Sequence, residues 1–153
     1  MQRLLGKRVL ITGTGGGQGE GVQALFAAEG ARVRGCDVTP GSAEATARLL
    51  ASQGFDVGGH TVDLGDAHAA ATWVESAAAD LGGIDVLYNN AGAARFGGVA
   101  DMSVADWDFV MRNELSLVFY VTRAACPHLC SSRGVVINVA SVMGMYGHAG
   151  IPS

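Results

Sequence analysis

Clustered positive charge is missing from this chain. Ten Lys and Arg residues stand against fourteen Asp and Glu, for a net charge of −4, and the basic residues are scattered. Binding to nucleic acid needs a concentrated basic face that neutralises phosphates, so that class of partner is not expected. Long apolar runs are also lacking, and none approaches the length of a membrane span. Cysteine is sparse. Cys36, Cys126 and Cys130 are odd in number, and their spacing fits neither a disulfide framework nor a C-x-x-C site. They read as buried small hydrophobes in a protein of the reducing cytoplasm. The histidines, His60, His68, His128 and His148, show no metal-ligand spacing, so they read as surface or packing residues and no metal is expected. The opening residues, Met1 to Lys7, run straight into a strand pattern and leave no room for a signal peptide. Charged residues make up only 16% and apolar residues 49%, which is too hydrophobic for a disordered chain. No fixed repeat period is visible.

Glycine is abundant, at 23 of 153 residues. The densest stretch is Thr12–Gly19, T-G-T-G-G-G-Q-G, directly after the apolar run Arg8-Val-Leu-Ile-Thr12. Bare backbone there can turn tightly and let a bulky ligand approach. A strand that enters such a loop and leaves as a helix aims free N–H groups and a positive dipole end at one spot, which suits a pyrophosphate. The pattern G-x-G-x-x-G fails in every register. The pattern that fits is T-G-x-x-x-G-x-G, with Gly13, Gly17 and Gly19.

The length is that of one ordinary domain, residues 1–153. Strand and helix signals alternate, which predicts an α/β fold with a parallel sheet and crossover helices. Strands are expected near 8–12, 31–37, 55–62, 84–88 and 135–140. Helices are expected near 18–29, 43–53, 67–81 and 104–125. Val22, Leu25 and Phe26 should face the core from the first helix. Ser42 should cap the second, and Ser103-x-x-Asp106 should start the fourth. Arg32 and Arg34 are expected to face solvent.

The glycine loop resembles the cofactor loop of the short-chain dehydrogenase/reductase family. Asn89-Asn90-Ala91-Gly92 after the fourth strand is similar to that family's N-N-A-G segment. The resemblance implies a Rossmann-like doubly wound sheet with strands ordered 3-2-1-4-5. It implies cofactor contacts from Gly13, Gly17, Gln18 and Gly19, and from Asn90, Ala91 and Gly92. Glu20 would place a negative charge near the pyrophosphate. Asp37 ends the second strand, where a carboxylate accepts hydrogen bonds from both adenosine ribose hydroxyls and repels a 2′-phosphate. No Lys or Arg follows it, so NAD is expected rather than NADP. Asp63, ending the third strand, either meets the adenine edge or caps the next helix. Asn113, in Trp107-x-x-x-x-x-Asn113, matches the family's catalytic Asn, which holds a helix kink and a proton-relay water. Ser141 resembles the serine that orients the substrate carbonyl. Ala93 to Phe96 and Val142 to Ile151 would line the substrate side.

Hydride transfer to a carbonyl also needs a proton donor. The family uses Tyr-x-x-x-Lys on a following helix, and counting from Ser141 that pair is expected immediately past Ser153. Tyr146 lies too close to Ser141, with no Lys after it. The implied activity is interconversion of a secondary alcohol and a ketone, with a small-molecule alcohol or carbonyl as substrate. The 153 residues by themselves are expected to be inactive. The other readings are a non-catalytic nucleotide- or partner-binding module and, less well matched, a methyltransferase. In the order 3-2-1-4-5 the fifth strand is an apolar edge, so a homo-oligomer or a further segment is expected to cover it.

Overall fold

The computed structural model describes residues 2–146. Five strands form one parallel sheet: β1 (Arg8–Thr12), β2 (Arg32–Asp37), β3 (Val57–Thr61), β4 (Val86–Asn89) and β5 (Val135–Asn138). Their order is β3-β2-β1-β4-β5, as the sequence reading expects. Parallel neighbours need crossovers, supplied by α1 (Gly17–Ala28), α2 (Ser42–Ser52), α3 (Ala67–Leu81), and the pair α4 (Val104–Val110) and α5 (Leu117–Ser132). A π-helical segment, Met111–Ser116, joins α4 to α5.

The central strand is buried on both faces, which explains its unbroken apolar run. Val9 and Ile11 meet Val33, Val86, Val22 and Phe26 on one side. Leu10 points the other way, into a larger core with Leu87 and the inner faces of α3 and α5. That core holds Trp73, Val74, Ala77, Leu81, Leu117, Val121, Ala125 and Leu129.

Several expectations are corrected. The fourth helix does not stop at 125; α5 runs through Pro127 to Ser132 and ends at Arg133, whose φ is 54°. An interior proline costs about 3 kcal/mol. Burying Leu129 alone returns about 1.5–3 kcal/mol, and the Leu117, Val121, Ala125, Leu129 stripe keeps its register only if the helix continues. The same stripe turns Cys126 and Cys130 outward, so they are exposed, with their sulfurs 3.8 Å apart, and only Cys36 is buried. Leu25 is 53% exposed, because α1 packs through Gly19, Gln23 and Ala27 instead. Gly41, at φ 78°, takes the N-cap position of α2, and Ser42 Oγ donates to the Thr39 carbonyl rather than capping. Arg32 and Arg34 do not simply face solvent. Both pair with Asp56, and Arg34, only 9% exposed, also pairs with Asp80. Ser103 starts α4 as expected: its Oγ accepts the Asp106 N–H at 3.0 Å. Among the described residues no helix is long and apolar enough to cross a membrane.

Candidate functional site

The ends of β1, β2, β3 and β4 open onto one crevice of about 300 Å³. It is bounded by Gly13, Asp37, Asp63 and Asn90, which follow or end those four strands, with Asn113 and Leu117 closing one side. Such a crevice at the carboxyl ends of parallel strands is where open α/β sheets bind ligands.

The glycine loop is held by main-chain bonds. Gly13 and Thr14 both donate their N–H to the Cys36 carbonyl, at 2.7 and 3.0 Å, which ties β1's end to β2. Gly13 has φ 75° and Gly17 φ 56°, conformations that favour glycine. A Cβ on Gly19 would lie 1.9 Å from the Gly13 carbonyl oxygen, so α1 can begin against the loop only because no side chain intervenes. No side chain caps α1, leaving its first amides for a ligand. Gln18, exposed beside them, reaches Tyr88 Oη at 3.4 Å.

Asp37 is fixed before any ligand arrives. Its carboxylate accepts the Gly15 N–H at 3.0 Å and the Thr39 N–H at 2.9 Å. A Cβ on Gly15 would strike Ser42 and Asp37, so this glycine too is required by close approach.

The Asn89–Gly92 corner is stitched to both sides. Thr12 Oγ1 accepts the N–H groups of Asn90 and Ala91, each at 2.9 Å. The Asn90 amide donates back to the Thr12 carbonyl at 3.1 Å. Asn89 donates to Asn138 on β5 at 2.8 Å and to Thr122 on α5 at 3.1 Å. Thr12 is thus a hub that sequence reading passed over, because a strand-ending threonine looks ordinary.

Asp63 does not cap the next helix; Asp66 does, accepting the Ala69 N–H. Asp63 instead accepts the Gly65 N–H at 2.9 Å and pairs with Arg112 at 2.7 Å, at the crevice wall. Asn113 lies inside the π segment and donates its amide to the Phe109 carbonyl at 2.7 Å.

Ser141 lies in an adjoining cavity of about 280 Å³, which shares Asn90, Ala91 and Gly92 with the crevice. Its Oγ accepts the Met143 N–H at 3.2 Å. The structure therefore gathers Gly13, Asp37, Asp63, Asn90 to Gly92 and Asn113 round one crevice and places Ser141 next door. Glu114, which sequence reading missed, lines the Ser141 cavity, whereas Asn113 does not. Its position one residue from the expected Asn was the available signal. Of the substrate-side segment, residues beyond Tyr146 lie outside the described residues, as does His148.

Sheet order, glycine loop and crevice define a Rossmann-like α/β domain. Residues 7–153 match the short chain dehydrogenase family model, and the chain belongs to that family, whose cofactor is a nicotinamide dinucleotide, NAD or NADP. It is 36% identical to a 3-oxoacyl-(acyl-carrier-protein) reductase, FabG, of Thermotoga maritima, over 97% of this chain and 61% of the relative. It is also 36% identical to a meso-2,3-butanediol dehydrogenase of Serratia marcescens, over 94% of this chain and 57% of the relative. A solved short chain dehydrogenase from Mycobacterium smegmatis superposes with a TM-score of 0.93 at 31% identity, covering 99% of this chain and 65% of that one. The chain thus spans about three-fifths of the length of the curated relatives it matches.

Proposed function

We propose that the protein of which these residues form the nucleotide-binding part is an NAD(H)-dependent oxidoreductase that interconverts a secondary alcohol and a ketone. The observation that carries this reading is Asp37. Its carboxylate stands at the end of β2, oriented by two main-chain amides, on the rim where an adenosine ribose would lie. A carboxylate there welcomes two hydroxyls and repels a 2′-phosphate. The crevice fits a dinucleotide on its own geometry. Gly13, Gly17 and Gly19 leave the α1 amides bare, and a side chain at Gly19 would collide with the loop.

In this reading Gly13, Gly17, Gln18 and Gly19 hold the pyrophosphate, Asp37 the ribose, Asp63 the adenine edge, and Asn90, Ala91 and Gly92 the nicotinamide side. The bound dinucleotide supplies or accepts a hydride at its nicotinamide ring. Ser141 orients the substrate carbonyl by hydrogen bonding, and Asn113, its amide bonded to the Phe109 carbonyl, organises the relay water. Substrate is a small alcohol or carbonyl compound.

Isothermal titration of the full-length protein with NADH and NADPH tests the reading. NADH should bind more tightly, and Asp37→Ala should weaken NADH about tenfold, the loss of about 1.4 kcal/mol of charge-assisted hydrogen bonding. Tighter binding of NADPH by the unmodified protein would overturn the NAD assignment.

A further inference from the structure

Glu114 occupies a place that its sequence neighbourhood does not advertise. It lies in the π segment, Met111–Ser116, where the wider turn shifts side chains off the ordinary helical spacing. Asn113 looks into the dinucleotide crevice and gives its amide to Phe109. Glu114 looks into the cavity that ends at Ser141, together with Asn89, Asn90, Val118 and Val139. Its carboxylate rests against the bare α-carbon of Gly92: a Cβ there would lie 2.8 Å from Oε1 and 3.1 Å from Oε2.

Among the described residues no cation pairs with the Glu114 carboxylate. Arg112 is engaged with Asp63, and Arg95 lies over the Phe109 ring. Every other group lining the cavity, from the β4 loop, from α5 and from the end of β5 to Ser141, is apolar, an amide or a hydroxyl, and none titrates near neutrality. Burial raises its carboxyl above the ordinary glutamate value, and the Ala93 main-chain hydrogen bond only partly opposes this. A carboxyl that lines the cavity yet stays open to solvent, with a raised affinity for protons, is suited to moving them.

We propose that Glu114 is the proton-exchange group of the Ser141 cavity, passing protons between the reacting oxygen's surroundings and bulk water. This rests on the alcohol–ketone reading above. Oxidation of a secondary alcohol sends a hydride from carbon to nicotinamide and releases the hydroxyl proton. The Glu114 carboxylate takes that proton through the cavity, becomes a neutral carboxyl, and gives it to water. Reduction runs the same path backwards, with the proton drawn in from water.

The test uses full-length protein, 2,3-butanediol as the probe alcohol, and E114Q, E114D and E114A variants. NADH affinity and thermal melting establish that each variant is folded. In the unmodified protein kcat for oxidation should fall toward acid pH, as Glu114 becomes protonated. E114Q should lose that limb and about 100-fold in kcat, the lower end of the usual span for proton-transfer groups. E114D should recover part of it, and added acetate should rescue E114A. A carbon-13 NMR titration should find the Glu114 carboxyl above the chain's other glutamates, independently of turnover. An E114Q pH profile that overlays the unmodified one, or a Glu114 carboxyl titrating with the others, overturns the proposal alone. Failure of the unmodified protein to oxidise any secondary alcohol with either cofactor overturns the dehydrogenase reading, and this proposal with it.

Discussion

At Gly19 a single methyl group would meet the Gly13 carbonyl oxygen at 1.9 Å and the Asn90 amide at 2.8 Å. Neither can retreat, since the first is backbone and the second is bonded to Thr12. Gly19→Ala should therefore displace the loop and weaken NADH binding at least tenfold, read by isothermal titration, with a smaller effect on melting because the core lies elsewhere. Residues of this kind were legible beforehand: a glycine demanded by close approach leaves a spacing, and so does Asp37 after an apolar strand. Thr12 and Glu114 left no such trace. Thr12 matters because Asn90 and Ala91 arrive beside it from 78 and 79 residues further along the chain. Glu114 matters because it lies in a π turn and lines the cavity that holds Ser141, and no one-dimensional pattern marks that turn. Asp63 shows the remaining case. A helix cap and a crevice contact use the same side chain, and the cap went to Asp66 only because its geometry at the start of α3 was better.

Elements are held together by charge as well as by packing. Where β1 and β4 begin, Asp85 accepts hydrogen bonds from the Arg8 main-chain N–H at 2.9 Å and from its guanidinium at 2.9 and 2.8 Å. Those bonds hold the Asp85 carboxyl at about 2. An unfolded aspartate titrates near 3.9, so the folded value is the lower one. The contribution is complete above about pH 4 and is lost as pH falls through about 2. Solvent screening leaves about 1–2 kcal/mol of it. Asp85→Asn should cost that amount at neutral pH and flatten the acid limb, measured by urea denaturation of full-length protein across the acid range. The strands, α3 and the start of α4 were readable from periodicity and turn residues. The length of α5 was not, because Pro127 is a local stop signal that the Leu117-to-Leu129 stripe overrides by packing on α3.

For the molecule as a whole, the sheet ends at β5, and this edge strand is apolar. Val135 is 53% exposed, Val136 40% and Ile137 39%. An uncovered apolar strand edge is a template for association. Expressed as these 153 residues, the chain should self-associate in sedimentation velocity, and Ile137→Lys should shift it toward monomer. A soluble monomer at high concentration would contradict that expectation. The sequence by itself determined the parallel α/β class, the strand order through the family resemblance, the glycine loop and the acidic residue that ends β2. These follow from local sterics and periodicity, which a chain carries in short stretches. Only the tertiary structure decided which side chains meet: Thr12 with Asn90, Arg112 with Asp63, Glu114 with the Ser141 cavity, and Cys126 and Cys130 outward. Those meetings depend on helix phase and long-range register, which are set when the whole core packs and are written in no single segment.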